Sequence, residues 1–243
     1  MTPGNAGLSP TTKCASPKTS PSAGLLSSEA RYDHSARSNN MNIFAVHENP
    51  GIAARSLPDK LVCKMSTESL QLLTPWAYNA HSYITTKPDG TQYSVKGYAH
   101  HPCMKWQYES PANVAWLLHH ALVMCNEYTN RYGKLHGASH GLHQVLNLFI
   151  ETYGDTACPE DHTPFVLAMP EQYKDPSNPV QSYRNYLLNE KGYAVWKHGN
   201  YPEWWCHETH KPARERYLAD QQVKKVQRAN AKHHGLQGSL QNV

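Results

Sequence analysis

From Ser110 onward the chain carries the pattern that most restricts its fold. Ser110 followed by Pro111 reads as a helix N-cap with a proline in the first turn. Beyond it Val114, Leu117, Leu118, Ala121, Leu122, Cys125, Tyr128 and Tyr132 fall on one stripe at helical spacing. A stripe of that length needs other helices to cover it, so residues 111–132 are expected to be a central core helix.

Several neighbours have the same periodicity. The stretch 57–73, LPDKLVCKMSTESLQLL, predicts a helix in which Ser56 or Asp59 caps, Pro58 sits in the first turn and Pro75 terminates. Residues 139–153 predict another, with Leu142, Val145, Leu146, Phe149 and Ile150 inward, and residues 179–196 a further one through Tyr183, Tyr186, Leu187 and Tyr193. Pro50 and Gly51 suggest a loop, and Pro102 a break. Two short alternating runs around Pro88-Asp89-Gly90, within residues 82–97, read as a hairpin. Residues 154–178 are too proline-rich for a regular element, although Phe165, Val166, Leu167 and Met169 need burial. Trp204 and Trp205 look like the last anchors of the fold.

The expected architecture is mainly α: one compact helical domain over residues 41–207 with a small β-hairpin. Residues 1–40, rich in Ser, Thr, Pro, Gly and Asn, are expected to be a disordered extension, and Met41 is an alternative start. Residues 208–243 read as a basic tail, disordered or loosely helical. That tail holds seven basic and three acidic side chains, whereas residues 41–207 hold 12 and 14, so the formal charge of +4 belongs to the ends. A basic tail suits a polyanion. No apolar run reaches the roughly 18 residues of a membrane span, and no secretory core opens the chain. The expectation is a soluble monomer of the host cytoplasm or nucleoid, with its six scattered cysteines reduced.

One residue breaks the pattern. On the wheel of residues 57–73, Leu61, Met65 and Leu72 form a narrow apolar arc flanked by Val62, Ser69 and Leu73, and Glu68 falls in its middle. A carboxylate aimed at a core must be paired, protonated or used. Lys64, one turn earlier, is its nearest partner, as an ion pair or as an amine for Schiff-base chemistry with Glu68 as acid or base. Of the sixteen histidines, nine gather as His100/His101 with Cys103, His119/His120, His136/His140/His143, and His207/His210 with Cys206. They show no zinc-ligand spacing and read as exposed or hydrogen-bonding groups; no metal or cofactor is expected. Phosphate-loop, dinucleotide and nucleophile-elbow motifs are absent. Aromatics beside basic or amide groups, notably Trp106 near Lys105 and Asn113, and Tyr183 to Tyr186 around Arg184, suit either a base-stacking surface or a core edge.

Taken together, NIF near the domain start, LPDKLVCKMSTESLQLL, HPCMKW, ESPANVAWLLHHALVMCNEYTNRYGK, LAMPEQYK and YRNYLLNEK resemble a phage-associated family of small helical proteins over residues 41–205. That family is related to the pyrimidine-dimer DNA glycosylases of the phage endonuclease V type. The second resemblance rests on one helix and the all-helical plan. In that type an L-x-D motif precedes the catalytic Glu by nine residues, which Asp59 and Glu68 reproduce. The resemblance implies a glycosylase, with AP-lyase activity, that acts on an altered pyrimidine in double-stranded DNA. Glu68 would be acid/base, and the attacking amine would be a terminal amine at Asn42 or else Lys64. Lys105, Trp106, Asn113, Arg184 and Lys191 would contact DNA. The chain departs from the type where arginines flank the Glu, having Thr67 and Gln71 there. A non-catalytic DNA-binding or phage–host interaction protein on the same fold is the runner-up, and a His-rich metal-dependent hydrolase the third reading.

Overall fold

The computed structural model describes residues 41–96, 99–154 and 158–240, with side chains through residue 231. The extension read over residues 1–40, Cys14 included, lies outside the described residues. Among them the fold is mainly helical: α1 (Pro50–Arg55), α2 (Asp59–His81), α3 (Pro102–Glu109), α4 (Pro111–Tyr132), α5 (Ser139–Tyr153), α6 (Pro179–Glu190) and α7 (His207–Leu240). Cys63, Cys103, Cys125 and Cys158 are free thiols.

α4 is the central helix, packed against α1, α2, α3 and α5. The Ser110 hydroxyl accepts from the Ala112 N–H at 3.1 Å to cap it, and Gly133, at φ +69°, closes it in the left-handed conformation that glycine adopts without strain. Val114, Leu117, Leu118, Ala121 and Cys125 are buried as the stripe requires, while Leu122 and Tyr128 lie at the core's edge. Trp116 and Met124, off the stripe, are buried too, because α4 has neighbours on more than one side. α2 contributes Leu61, Val62, Met65, Leu72 and Leu73, and α5 contributes Leu142, Val145 and Phe149.

Four local expectations need correction. Pro75 does not end α2 but lies inside it. A proline there frees carbonyls one turn back; Gln107 Nε2 on α3 donates to Leu72 O at 2.7 Å, and burial of Trp76 and Ala77 holds the last turn in place. Pro50 and Pro102 each sit in the first turn of a short helix, α1 capped by Asn49 and α3 by His101. The segment read as a hairpin makes a turn with one antiparallel bridge, Thr86 to Gln92, and no strand. Besides the cross-arm bonds from Lys87 N–H to Thr91 O and from Tyr93 N–H to Thr85 O, Gln144 on α5 binds both the N–H and the C=O of Thr86 at 2.9 Å and ties the turn to a helix. Finally α6 stops at Glu190, short of Trp196, with Lys191 as its C-cap, the Lys191 N–H donating to Leu187 O.

Of the two states expected of the C-terminal tail, the helix is the one present from His207 to Leu240. Its first turns belong to the packed fold, past the boundary drawn at residue 207. His210 and Ala213 are buried, Arg214 Nη1 donates to Gly192 O at 3.1 Å, and Arg216 Nη2 donates to Asn189 O at 2.7 Å, so α7 satisfies carbonyls at the end of α6. A Cβ on Gly192 would stand 2.1 Å from Ala213 O and 2.6 Å from Tyr217 Cβ. Backbone cannot yield there, so Gly192→Ala is expected to lower the urea midpoint by the equivalent of about 1–3 kcal/mol or more. An unchanged midpoint would show that α7 is not clamped at this joint. Among the described residues no helix is long and apolar enough to cross a membrane.

Candidate active site

Glu68 occupies the position that the wheel gives it, with Leu61, Met65, Ser69 and Leu72 buried around it and Thr67 and Gln71 exposed on either side. The carboxylate is therefore at the rim of the core. Its Oε1 pairs with Lys64 Nζ at 2.6 Å, and the carboxylate keeps 14% side-chain exposure where the lysine keeps 49%. Burial pushes the Glu68 carboxyl above its ordinary range; the Lys64 ammonium, the Asn42 backbone N–H and the charge of Lys191 pull the other way. The Asn42 N–H acts from short of full hydrogen-bond geometry, since the buried Oε2 has no partner among the described residues. A desolvated carboxylate with one oxygen uncommitted is equipped to accept and return a proton.

The segment before α1 is folded into this site. Met41 to Val46 are buried. Asn42 Oδ1 accepts from the Ile43 and Phe44 N–H groups at 2.7 and 3.1 Å, while its Nδ2 donates to Ala168 O at 2.7 Å. This local bonding holds Phe44 at φ +43°, a strained conformation for an aromatic residue. Phe44 stacks on Tyr186 with planes 3° apart, and Lys191 Nζ lies 5.9 Å from the Phe44 ring centroid. Nearby Cys103 is buried, and burial together with the Glu68 charge pushes its thiol up to about 12, leaving it inert.

Lys191 closes the group. Its Nζ donates to Tyr186 Oη at 2.7 Å and lies 4.2 Å from that ring's centroid. Burial, and then repulsion from Lys64, bring its pKa down to about 8, against attraction from Glu190 and Glu68. The favourable contribution of Lys191 to stability is thus present above its ordinary 10.5 and lost as pH falls through about 8. Lys191→Met is expected to be more stable than the native chain at pH 7, with the gap closing as pH rises from about 8 toward 10.5. A gap that stays constant over that range in urea titrations would refute the burial cost.

Glu68, Lys64, Asn42 and Lys191 are thus brought together. Other residues named from sequence are not part of this group. Trp106 is buried, 5.9 Å from the Phe165 ring. Asn113 is fully buried and ties α4 to the loop: its Nδ2 donates to Trp106 O and Thr163 Oγ1, and its Oδ1 accepts from the Thr163 N–H. Neither can reach DNA, because both are spent on packing α3, α4 and residue 163. Lys105 is exposed on α3. Arg184 donates from Nε to Val46 O at 2.9 Å and stacks on Trp204 in an open groove of about 520 Å³ with His47, Tyr201 and Glu203. Asp59 does not cap α2; it accepts from Arg131 Nη1 at 2.9 Å and joins the start of α2 to the end of α4.

Histidines serve the scaffold. His101 caps α3, and His136 accepts from the Ala138 N–H and bonds Cys63 O. His120 departs from expectation: it is fully buried against Trp116 with neither ring nitrogen partnered among the described residues, and burial brings it down to about 3, so it stays neutral. Among the described residues no three His, Cys, Asp or Glu side chains gather to hold a metal. Arg131 was missed from sequence, and Tyr186, named there as a base-stacking surface or core edge, was missed as the partner of Lys191. Arg131 sits in the last turn of α4, where a basic residue is unremarkable, and Tyr186 lies on a stripe that reads as core.

A family model described as pyrimidine dimer DNA glycosylase matches residues 41–138. The match begins at the buried Met41 segment, includes Asn42, Lys64 and Glu68, and ends after α4. Arg184 and Lys191 lie beyond it. No curated protein and no solved structure matches the chain at a significant level. Over the helices that carry Glu68, the chain resembles the pyrimidine dimer DNA glycosylases.

Proposed function

We propose that the domain starting at Met41 is a DNA glycosylase of the pyrimidine-dimer type, acting on an altered pyrimidine in duplex DNA with Glu68 as its acid/base. The observation that carries this reading is the position of Glu68. It is a half-desolvated carboxylate at the core's rim, inside the stretch matched by the family model, with one oxygen on Lys64 and the other uncommitted. Lost hydration raises its proton affinity, which suits a group that must give a proton to a departing base or take one from the sugar.

Lys60, Lys64 and Lys105 are exposed and supply positive charge for the phosphate backbone, which fixes register without reading sequence. Asn42 contributes its position: its backbone nitrogen acts on the Glu68 carboxylate, so a chain beginning at Asn42 would present its amine there. In the 243-residue chain that nitrogen is an amide bonded to Met41 and has no nucleophilic lone pair. The test is base release from ultraviolet-treated duplex DNA by purified chains starting at Met1 and at Met41. Release of pyrimidine from damaged and not from untreated DNA is expected; no release from either chain would overturn the reading.

A further inference from the structure

We propose that in the uncut chain Lys191 is the amine that bonds covalently to the deoxyribose, with Glu68 as its proton-transfer partner and Tyr186 as its positioning residue. This inference rests on the glycosylase reading and adds the covalent step. Lys64, the nearer lysine in sequence, is poorly suited: it is half exposed, and its Nζ is in a 2.6 Å ion pair with the carboxylate that the reaction needs. Lys191 Nζ donates to a phenol oxygen and lies over an aromatic face, with no carboxylate within ion-pair distance among the described residues.

The backbone of Lys191 is clamped. Its N–H donates to Leu187 O at the end of α6, and its C=O meets the Ala194 N–H at 2.7 Å and the ring of His210 at 3.3 Å. Gly192 next to it admits the α7 backbone so closely that no side chain fits. The backbone fixes where the side chain starts, and Tyr186 holds its amine beside Phe44 and the Asn42 segment. Nucleophilic attack needs the neutral amine, and both desolvation and the Lys64 charge disfavour the ammonium form, so roughly a tenth is neutral at pH 7.

The chemistry balances without a cofactor. The Nζ lone pair adds to C1′ of the ring-opened abasic sugar, forming a carbinolamine. Its hydroxyl takes a proton from the protonated Glu68 and leaves as water, giving the protonated imine. The Glu68 carboxylate then removes a C2′ proton, the C2′–C3′ double bond forms and the 3′ phosphate departs with its electron pair. Water hydrolyses the unsaturated imine, releasing the aldehyde and returning the amine.

The test uses the full chain and a duplex with one abasic site, reduced with borohydride and mapped by peptide mass spectrometry. The adduct is expected on the peptide that carries Lys191. Lys191→Arg, which keeps charge and length, is expected to lower trapping by about 100-fold or more, whereas Lys87→Arg, on an exposed turn outside the site, leaves it within about tenfold. Helical circular dichroism of each variant separates loss of the amine from loss of the fold. Labelling of the native chain by glycolaldehyde and cyanoborohydride needs no variant, and Lys191 is expected to label ahead of the exposed lysines. An adduct on Lys64, on a terminal amine or on no residue overturns the Lys191 assignment, even where ultraviolet-treated DNA still loses base. An adduct on Lys191 without any base release upholds the amine and overturns the glycosylase reading beneath it.

Discussion

Replacing Glu68 with Gln is expected to lower base release from ultraviolet-treated duplex by about 10²- to 10⁴-fold, the range that a positioned acid/base supplies. The amide keeps the volume and the Lys64 contact but neither accepts nor returns a proton at neutral pH. Stability should change little. The pair is open to solvent on the Lys64 side, so its charge attraction is partly screened, and the desolvation that raises the Glu68 pKa is relieved in the neutral amide. Urea midpoint and circular dichroism therefore provide the control, and they separate this variant from one that fails by unfolding. Release by Glu68→Gln within tenfold of the native chain would remove Glu68 from the chemistry and return it to the role of a rim ion pair.

Glu68 was legible because its signal is local. One helix wheel shows a carboxylate on an arc whose other members are buried, and the structure keeps that arc intact. The central helix was legible for the same reason: the Ser110-Pro111 cap and the apolar stripe give α4 its bounds, Pro111 and Tyr132. What sequence periodicity cannot supply is which distant segment covers a given face. Trp106 and Asn113 look like a base-reading pair along the chain, yet Thr163, 50 residues after Asn113, turns Asn113 into a buried brace. Pro75 and Pro102 carry the same local signal with opposite outcomes, since Pro102 opens a helix and Pro75 is held inside one by Gln107 from a neighbouring helix. The Lys191 environment was missed by a narrower margin. α6 ends at Glu190 with Lys191 as its C-cap, but running the helix on to Trp196 placed Lys191 on a helix face, where it passed for a phosphate contact.

The second large effect concerns Arg131, and it should appear in stability and not in chemistry. Only 5% of this side chain is exposed, and it serves four acceptors: Nη1 donates to Leu57 O and Asp59 Oδ1, each at 2.9 Å, Nη2 to Arg55 O at 3.2 Å, and Nε to Glu127 Oε1 at 2.8 Å. It thus fastens the end of α4 to the end of α1 and the start of α2, and satisfies helix-end carbonyls that would otherwise be buried unpaired. Removing one member of a buried charged network leaves the rest uncompensated, so Arg131→Ala is expected to cost about 3–5 kcal/mol of unfolding free energy. Asp59→Asn keeps an acceptor for Nη1 and leaves the other three bonds in place, so its cost should be about 1–2 kcal/mol. The pair separates two explanations of the L-x-D spacing before Glu68. If Asp59 matters by anchoring the helix, Asp59→Asn lowers the urea midpoint while the folded fraction releases base at the native rate. A rate that falls about 100-fold or more with the midpoint unchanged would instead place Asp59 in the reaction, and would overturn its reading as the latch that sets α2 against α4.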